Sequence, residues 1–204
     1  MHQIRNFWFT QKSSFTKSER LDDWKELFLD TKKVKIIGTG SYNSALAIQV
    51  LRKGILVIIR AYEKEVVDEI NSKHTNSTFL SGFELPPNLK ATNNLEECVA
   101  TADALLSVMP TPHISKMMNS VVGFLKKKIP IVSCSKGIEN ESLEVPSEIL
   151  ERTLSHEYHS FLAYLSGPSF AKEVAAGPPT AVTIAADNQE LAASIQKVMS
   201  DKRF

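Results

Sequence analysis

Short apolar runs alternate with helical patterns along most of this chain, and this alternation limits the fold more than any other feature. Six runs are typical of strands: residues 34–37, 55–59, 104–108, 130–134, 161–165 and 180–185. Helical patterns follow at 42–53, 63–73, 112–126, 142–154, 169–176 and 188–199, with a shorter one near 94–101. Continuous apolar strands separated by helices indicate a mainly parallel sheet with helices on both faces. Because such crossovers are right-handed, we predict an α/β, Rossmann-like, doubly wound fold over residues 34–204.

The first strand runs into a glycine-rich turn, Gly38-Thr39-Gly40, and a helical pattern follows it directly. In a doubly wound sheet, ligands bind beyond the carboxyl ends of the strands. Gly38 permits the tight turn, and Gly40 lets backbone amides approach a pyrophosphate without an intervening Cβ. The amino terminus of the following helix also favours an anion. Strand–helix turns that bind nothing use glycine as well, but the flanking strand and helix favour nucleotide binding.

The third glycine of the dinucleotide-binding pattern is missing, and its position holds Asn43. That glycine normally lets the helix lie close to the strand. An asparagine therefore requires the helix to shift, or its side chain to fill a gap. We expect weakened rather than abolished binding of the nucleotide.

Discrimination between NAD and NADP normally occurs at the end of the second strand, through an acid on the ribose or an arginine on its phosphate. Here that end is Arg60-Ala61-Tyr62-Glu63-Lys64. It offers both signs of charge, so the preference stays open.

Two further loops end strands of the same predicted sheet. Lys136 follows the fourth main strand, and Gly167-Pro168-Ser169 begins a helix after the fifth. A lysine and a helix amino terminus at one sheet edge would form a receptacle for a second anion, such as a substrate phosphate. Spacing alone slightly favours the alternative, in which Lys136 is an exposed turn residue and Pro168 and Ser169 merely start a helix.

Composition excludes several classes of function. The 204 residues carry a net charge of +1, which predicts no nucleic-acid partner. No apolar run approaches the roughly 20 residues that span a membrane. Cys98 and Cys134 fit buried, reduced residues of an intracellular protein. His156 and His159 share a polar loop, but no motif supports a metal site.

Residues 1–33 read as a leader that is separate from the predicted domain. The first eighteen contain Arg5, Lys12 and Lys17 but no acid, which is typical of a transit peptide and equally of a flexible leader with accidental composition. Residues 18–33 then form an amphipathic helical pattern that would pack on the following domain. The expected location is cytoplasmic or organellar.

Longer motifs connect these features to a known family. The stretches "SKGIE" and "LSGPSFAKEVAAGPPTAVTIA", with "GTGSYNSALA" in place of a Gly-x-Gly-Ser-aromatic-Gly motif, resemble the NAD(P)-dependent sn-glycerol-3-phosphate dehydrogenase family in its bacterial and plastid form. "FLSGFELPPNLKATNNLEE", "TADALLSVMPT" and "DKRF" fit in order and spacing, so the resemblance covers residues 34–204. It implies NAD or NADP as cofactor, glycerol 3-phosphate and dihydroxyacetone phosphate as substrates, and allows a homodimer in the full-length family.

The resemblance also implies roles for individual residues. Lys136 matches a lysine that contacts cofactor and substrate, and Gly167 and Ser169 match substrate contacts. A cationic Lys136 near a ketone oxygen would stabilise negative charge during hydride transfer. The positions that match cofactor contacts, including the glycine loop, are Gly38, Gly40, Ser41, Tyr42, Asn43, Tyr62, Lys136 and Ala171.

One part of the family has no counterpart in these 204 residues. In the family a helical domain follows and supplies the general acid/base lysine, so we expect this chain alone to be incomplete as an enzyme. The leading hypothesis is the cofactor domain of a glycerol-3-phosphate dehydrogenase. The alternatives are a shortened, non-catalytic homologue that binds NAD(H) or a protein partner, and another dehydrogenase such as a hydroxyacid or ketopantoate reductase.

Overall fold

The computed structural model describes residues 31–204. The predicted transit-like segment and the amphipathic helix up to residue 30 lie outside the described residues. The strands are β1 (Lys33–Ile37), β2 (Leu56–Arg60), β3 (Lys90–Thr92), β4 (Ala104–Ser107), β5 (Ile131–Ser133), β6 (Leu162–Ser166) and β7 (Thr183–Ala185).

The seven strands form one sheet in the order β3-β2-β1-β4-β5-β6-β7. All neighbouring pairs are parallel except β6 and β7, which are antiparallel. The strand order reverses direction between β1 and β4, which is the point where ligands bind in open α/β sheets. The predicted Rossmann-like, mainly parallel sheet is confirmed.

Helices connect the strands and cover both faces. They are α1 (Ser41–Arg52), α2 (Lys64–Lys73), α3 (Leu95–Val99), α4 (Ile114–Phe124), α5 (Pro146–Thr153), α6 (Ala171–Ala176) and α7 (Gln189–Met199), with 3₁₀ turns at Thr111–His113 and His156–Phe161. Helices α1, α2, α6 and α7 pack on one face, and α3, α4 and α5 pack on the other. Between residues 31 and 204, no helix combines the length and apolar character needed to cross a membrane.

Helix α1 is held at its carboxyl end by an arginine. Arg52 Nη2 donates a hydrogen bond of 3.0 Å to the carbonyl of Ala175, at the end of α6. The carbonyl groups in the last turn of a helix have no partner within the helix, so a guanidinium satisfies them well. This contact ties the first helix to a helix more than 100 residues later in the chain.

The core contains one charged side chain where an apolar one is expected. Lys35 lies in the middle of β1 with its side chain fully buried, and its Nζ has no hydrogen-bond partner within the described part of the chain. Burial in this apolar layer lowers the pKa of the Lys35 ammonium. A buried, unpaired ammonium is costly, so Lys35 destabilises the fold while it is charged.

The structure differs from the sequence prediction in several elements. The predicted helix over 169–176 begins at Ala171, after Phe170 at its N-cap, so Pro168 and Ser169 lie in the loop before it. The short strand β3 was not predicted, because its three residues carry no apolar run. The last strand begins at Thr183 rather than at 180 and runs antiparallel. The predicted helix over 142–154 begins only at Pro146, because Glu139 accepts backbone hydrogen bonds from Glu141 and Ser142 and holds the preceding residues in a turn.

Candidate active site

A cleft of about 1130 Å³ opens at the carboxyl ends of the strands. The loops after β1, β2, β4, β5 and β6 all contribute to its walls. It contains every position for which the sequence suggested a site role: Gly38, Gly40, Ser41, Tyr42, Asn43, Tyr62, Lys136, Gly167, Ser169 and Ala171. The structure therefore brings these positions together, while the role of each remains a prediction.

The glycine loop packs tightly against the sheet on one side and is open on the other. Gly38 has a φ of +125°, and a Cβ there would collide with the carbonyl oxygen of Val108. A Cβ on Gly40 would meet only Asn43 Oδ1, at 3.4 Å, so the protein itself leaves space beside Gly40. No side chain in the described part of the chain caps the amino end of α1 at Gly40. The loop therefore presents an uncapped helix amino terminus to the cleft, as anion binding requires.

Asn43 fills the gap that the third glycine would leave. Its side chain is 2% exposed, and its Nδ2 donates hydrogen bonds to the carbonyl oxygens of Ile37 at 3.2 Å and Val108 at 3.0 Å. Ile37 is the last residue of β1, and Val108 directly follows the adjacent strand β4, at the point where the strand order reverses. The Asn43 amide thus links β1 and β4 beneath the loop. Of the two outcomes that the sequence left open, the structure shows the one in which the side chain fills a gap.

Four residues from three loops form a polar cluster in the cleft, next to the glycine loop. Tyr42 Oη lies 2.7 Å from Ser169 Oγ, which joins the start of α1 to the loop after β6. Lys136 Nζ donates to the carbonyl of Gly167 at 2.7 Å and lies 5.8 Å from the centre of the Tyr42 ring. Lys136 and Ser169, which lies in the loop two residues before α6, therefore converge in the cleft.

Gly167 is needed at its position for steric reasons. Its φ is +152°, and a Cβ would lie 2.8 Å from the carbonyl oxygen of Ala181 and 3.0 Å from the Cα of Val182. The loop after β6 therefore passes closely over the chain that leads into β7. This close approach fixes the carbonyl of Gly167 where Lys136 binds it.

Burial sets the protonation state of two groups at this cleft. It raises the pKa of the Tyr42 hydroxyl to about 12, although the hydrogen bond with Ser169 acts in the opposite direction. Burial likewise raises the pKa of the Cys134 thiol to about 12. Tyr42 therefore keeps its proton at neutral pH, and Cys134 is an unreactive thiol. Cys98 and Cys134 are both buried and reduced, as predicted.

The end of β2 places opposite charges beside the glycine loop. The Arg60 guanidinium lies over the Tyr62 ring, with Cζ 5.7 Å from the ring centre, and Tyr62 is 78% exposed. Glu63 Oε2 accepts a hydrogen bond from Thr39 Oγ1 at 3.0 Å. One oxygen of the Glu63 carboxylate therefore contacts the glycine loop.

Sequence reasoning missed the wall that follows β4. Met109 and Pro110 lie in the loop after this strand and line the cleft. The cleft is also lined by residues of the 3₁₀ turn and α4, namely His113, Lys116 and Met117. The available signal was their position directly after a predicted strand, at the edge where ligands bind. Their residue types alone do not indicate a site.

The two histidines of the polar loop have an ordinary environment. His159 Nε2 lies 2.9 Å from the carbonyl oxygen of Glu151 and 3.2 Å from that of Leu154. The His156 and His159 rings are 5.1 Å apart. Within residues 31–204, no group of three or more His, Cys, Asp or Glu side chains is arranged to hold a metal ion.

Comparison with known proteins assigns the chain to a family. The model of the NAD-dependent glycerol-3-phosphate dehydrogenase N-terminus matches residues 33–192. The chain belongs to this family. A glycerol-3-phosphate dehydrogenase [NAD(P)+] of Leptospira biflexa is 41% identical over 172 residues, which cover 84% of this chain and 52% of the relative. The corresponding protein of Citrifermentans bemidjiense is 40% identical over 173 residues, or 85% of this chain and 52% of the relative.

A solved structure agrees with the sequence comparison. Glycerol-3-phosphate dehydrogenase from Coxiella burnetii superposes with a TM-score of 0.75 at 29% identity, covering 85% of this chain and 52% of that protein. The chain therefore spans about half the length of the glycerol-3-phosphate dehydrogenases it matches. Membership in this family decides against the alternative of a hydroxyacid or ketopantoate reductase.

Proposed function

We propose that this chain is the NAD(P)-binding domain of a glycerol-3-phosphate dehydrogenase that interconverts sn-glycerol 3-phosphate and dihydroxyacetone phosphate. The observation that carries the proposal is the convergence, in one cleft, of an open glycine loop with the cluster of Lys136 and Ser169. A nucleotide and a phosphorylated substrate must lie side by side for hydride transfer. Family membership supports this assignment of the two halves of the cleft.

The glycine loop would hold the dinucleotide. The space beside Gly40 and the uncapped start of α1 suit a pyrophosphate, with the amides of Ser41 and Tyr42 facing it. Tyr62 and Ala171 line the same cleft and would contact other parts of the cofactor. Asn43 would support the loop from the side of the sheet, because its side chain binds the carbonyls of Ile37 and Val108 and leaves the open side of the loop free.

The polar cluster would hold the substrate beside the nicotinamide. Lys136 already donates to the carbonyl of Gly167, and its ammonium retains further N–H groups for a substrate oxygen. Tyr42 keeps its proton at neutral pH, so it can donate to Ser169 and leave the serine hydroxyl free to donate to the phosphate. When bound, the cofactor supplies the hydride. Lys136 would stabilise the negative charge that develops on the ketone oxygen.

The first test is direct binding of NADH and NADPH to the 204-residue chain by isothermal titration calorimetry. Gly40→Ala is the diagnostic variant, because the protein has room for this Cβ but a bound pyrophosphate does not. Gly123→Ala is the matched control, since its Cβ would meet nothing within 4 Å. We expect saturable binding, a loss of at least tenfold in Gly40→Ala, and no change in the control. If the folded chain binds neither nucleotide at millimolar concentration, the proposal is wrong.

A second titration tests the substrate half. Glycerol 3-phosphate is added to the nucleotide-loaded chain, and Lys136→Ala is compared with Lys126→Ala, a substitution of an exposed lysine outside the cleft. We expect binding that only Lys136→Ala weakens. Nucleotide binding without any glycerol 3-phosphate binding would instead favour the alternative, a homologue that binds NAD(H) but not the substrate.

A further inference from the structure

A buried asparagine from the loop after α2 contacts the glycine loop from outside the cleft. Asn76 is 1% exposed, and its Nδ2 donates hydrogen bonds to the carbonyl oxygen of Thr39 at 3.2 Å and to Ser44 Oγ, in α1, at 3.0 Å. Thr39 and Gly40 line the cleft, whereas Asn76 and Ser44 do not. The Thr39 carbonyl therefore points away from the cleft and into the protein.

The direction of this carbonyl fixes the direction of the next amide. The peptide bond between Thr39 and Gly40 is trans, so its N–H points opposite to its carbonyl. Within residues 31–204, no acceptor receives a hydrogen bond from the Gly40 N–H. This N–H therefore faces the open side of the glycine loop, beside the uncapped start of α1, where it can donate to an anion.

Asn76 is itself held in place by its own loop. Its Oδ1 accepts a hydrogen bond from the Phe79 amide at 3.3 Å, so the oxygen and the nitrogen of its side chain are both engaged. Glu69, in α2, accepts hydrogen bonds from Thr75 Oγ1 at 2.7 Å and from the Ser77 amide at 2.9 Å. The residues on both sides of Asn76 are therefore tied to α2, which gives the asparagine a fixed base.

We propose that Asn76 is a positioning residue for nucleotide binding, which fixes the Thr39–Gly40 peptide so that the Gly40 amide is directed at the pyrophosphate before the ligand binds. This inference rests on the proposed function, because it requires the dinucleotide to bind at the glycine loop. Asn76 acts through the backbone and does not contact the ligand. A donor that is already oriented spares the free energy of ordering the loop on binding, so its loss lowers affinity.

Calorimetric titration of the intact chain with NADH and NADPH tests the proposal, with Asn76→Ala as the diagnostic variant. Both affinities should fall by about tenfold, because the two nucleotides share the pyrophosphate. Asn71→Ala is the matched control: Asn71 Nδ2 donates to the Ala91 carbonyl and its Oδ1 accepts from the Ala91 amide, both at 2.9 Å and outside the cleft. This variant should lose comparable stability and keep both affinities.

Two further measurements separate the contact with Thr39 from the shape of the loop. Glu69→Ala releases Thr75 and Ser77 from α2 but leaves both donors of Asn76 in place, so the affinities should stay within about twofold of the parent. In ¹H–¹⁵N spectra of the unliganded chain, the Gly40 amide peak should shift in Asn76→Ala and not in Asn71→Ala. In the unsubstituted chain, the side-chain amide protons of Asn76 should exchange slowly with solvent even without nucleotide.

The outcomes distinguish this inference from the proposed function. Parental affinity in Asn76→Ala, or an equal loss of affinity in Asn71→Ala or Glu69→Ala, would overturn the inference and leave the cofactor domain intact. Fast exchange of the Asn76 amide protons in the unliganded chain would also overturn it, even if Asn76→Ala does not fold, because the contact with Thr39 would then form only on binding. Failure of both nucleotides to bind the parent chain would refute the proposed function, and this inference with it.

Discussion

Exchanging Asn43 for aspartate is the sharpest test of how the glycine loop is supported. The two side chains have the same shape, but aspartate replaces the donor that faces the carbonyl oxygens of Ile37 and Val108 at 3.2 and 3.0 Å. Two hydrogen bonds would be lost, each with a net value of about 1 kcal/mol. A carboxylate would also be left buried against two acceptors, so the total loss of stability should be about 3–5 kcal/mol at pH 7.

The loss of stability in Asn43→Asp should depend on pH in a defined direction. A buried carboxyl without donors has a folded-state pKa above its unfolded value of about 3.9. The penalty is therefore present at neutral pH and is relieved as the pH falls through the folded-state pKa, because the protonated group can donate to one carbonyl. Urea unfolding of Asn43→Asp at pH 7 and about pH 5 should show a smaller deficit at the lower pH.

A matched control separates this effect from a simple change of charge. Asn119 is exposed on α4, so Asn119→Asp alters the net charge equally without burying it. It should change the free energy of unfolding by less than about 0.5 kcal/mol. If Asn43→Asp were as stable as this control, or if its deficit did not change with pH, the two hydrogen bonds could not be what supports the loop.

Three further substitutions give distinct expected results. Lys35→Met should raise the free energy of unfolding by about 1–3 kcal/mol at pH 7. Burial lowers the folded-state pKa of Lys35, so the free energy of unfolding of the wild type should rise as the pH approaches the unfolded-state pKa of this lysine. Urea unfolding across pH 7–10 should therefore show that the advantage of Lys35→Met over the wild type shrinks. Gly167→Ala should cost at least about 1–3 kcal/mol in the same assay, because its Cβ would meet Ala181. Tyr42→Phe removes the contact with Ser169 and should weaken glycerol 3-phosphate binding roughly tenfold in calorimetry, with nucleotide binding nearly unchanged.

The sequence was informative about the fold wherever apolar periodicity was strong. The strands next to the cleft are mainly apolar, apart from Lys35 in β1, and their burial in the sheet is what such runs indicate. The elements with a weak sequence signal are those that depend on tertiary contacts. Strand β3 has a single buried residue, Ala91, and β7 has none, so neither element carries a clear pattern. A turn held by the Glu139 carboxylate likewise depends on hydrogen bonds that periodicity cannot show.

The site was predictable in its positions but not in its internal contacts. Residues that directly follow parallel strands must meet at one sheet edge, which is why Lys136 and Ser169 could be placed in one cleft. The environment of Asn43 could not be predicted, because one of its two partners, Val108, lies 65 residues away in sequence. The same holds for the hydrogen bond between Thr39 and Glu63, which lie 24 residues apart in sequence.

The two attachments of α1 have a consequence for how ligands communicate. Tyr42, at its amino end, contacts Ser169, and Arg52, at its carboxyl end, binds the carbonyl of Ala175. Because α1 is tied at both ends to residues 169–175, we expect a shift of this helix to be transmitted to them. A dinucleotide that displaces the start of α1 would therefore also displace Ser169. If the chain binds both ligands as proposed, the affinities for nucleotide and glycerol phosphate would be thermodynamically coupled, and each ligand would change the affinity of the other by the same factor.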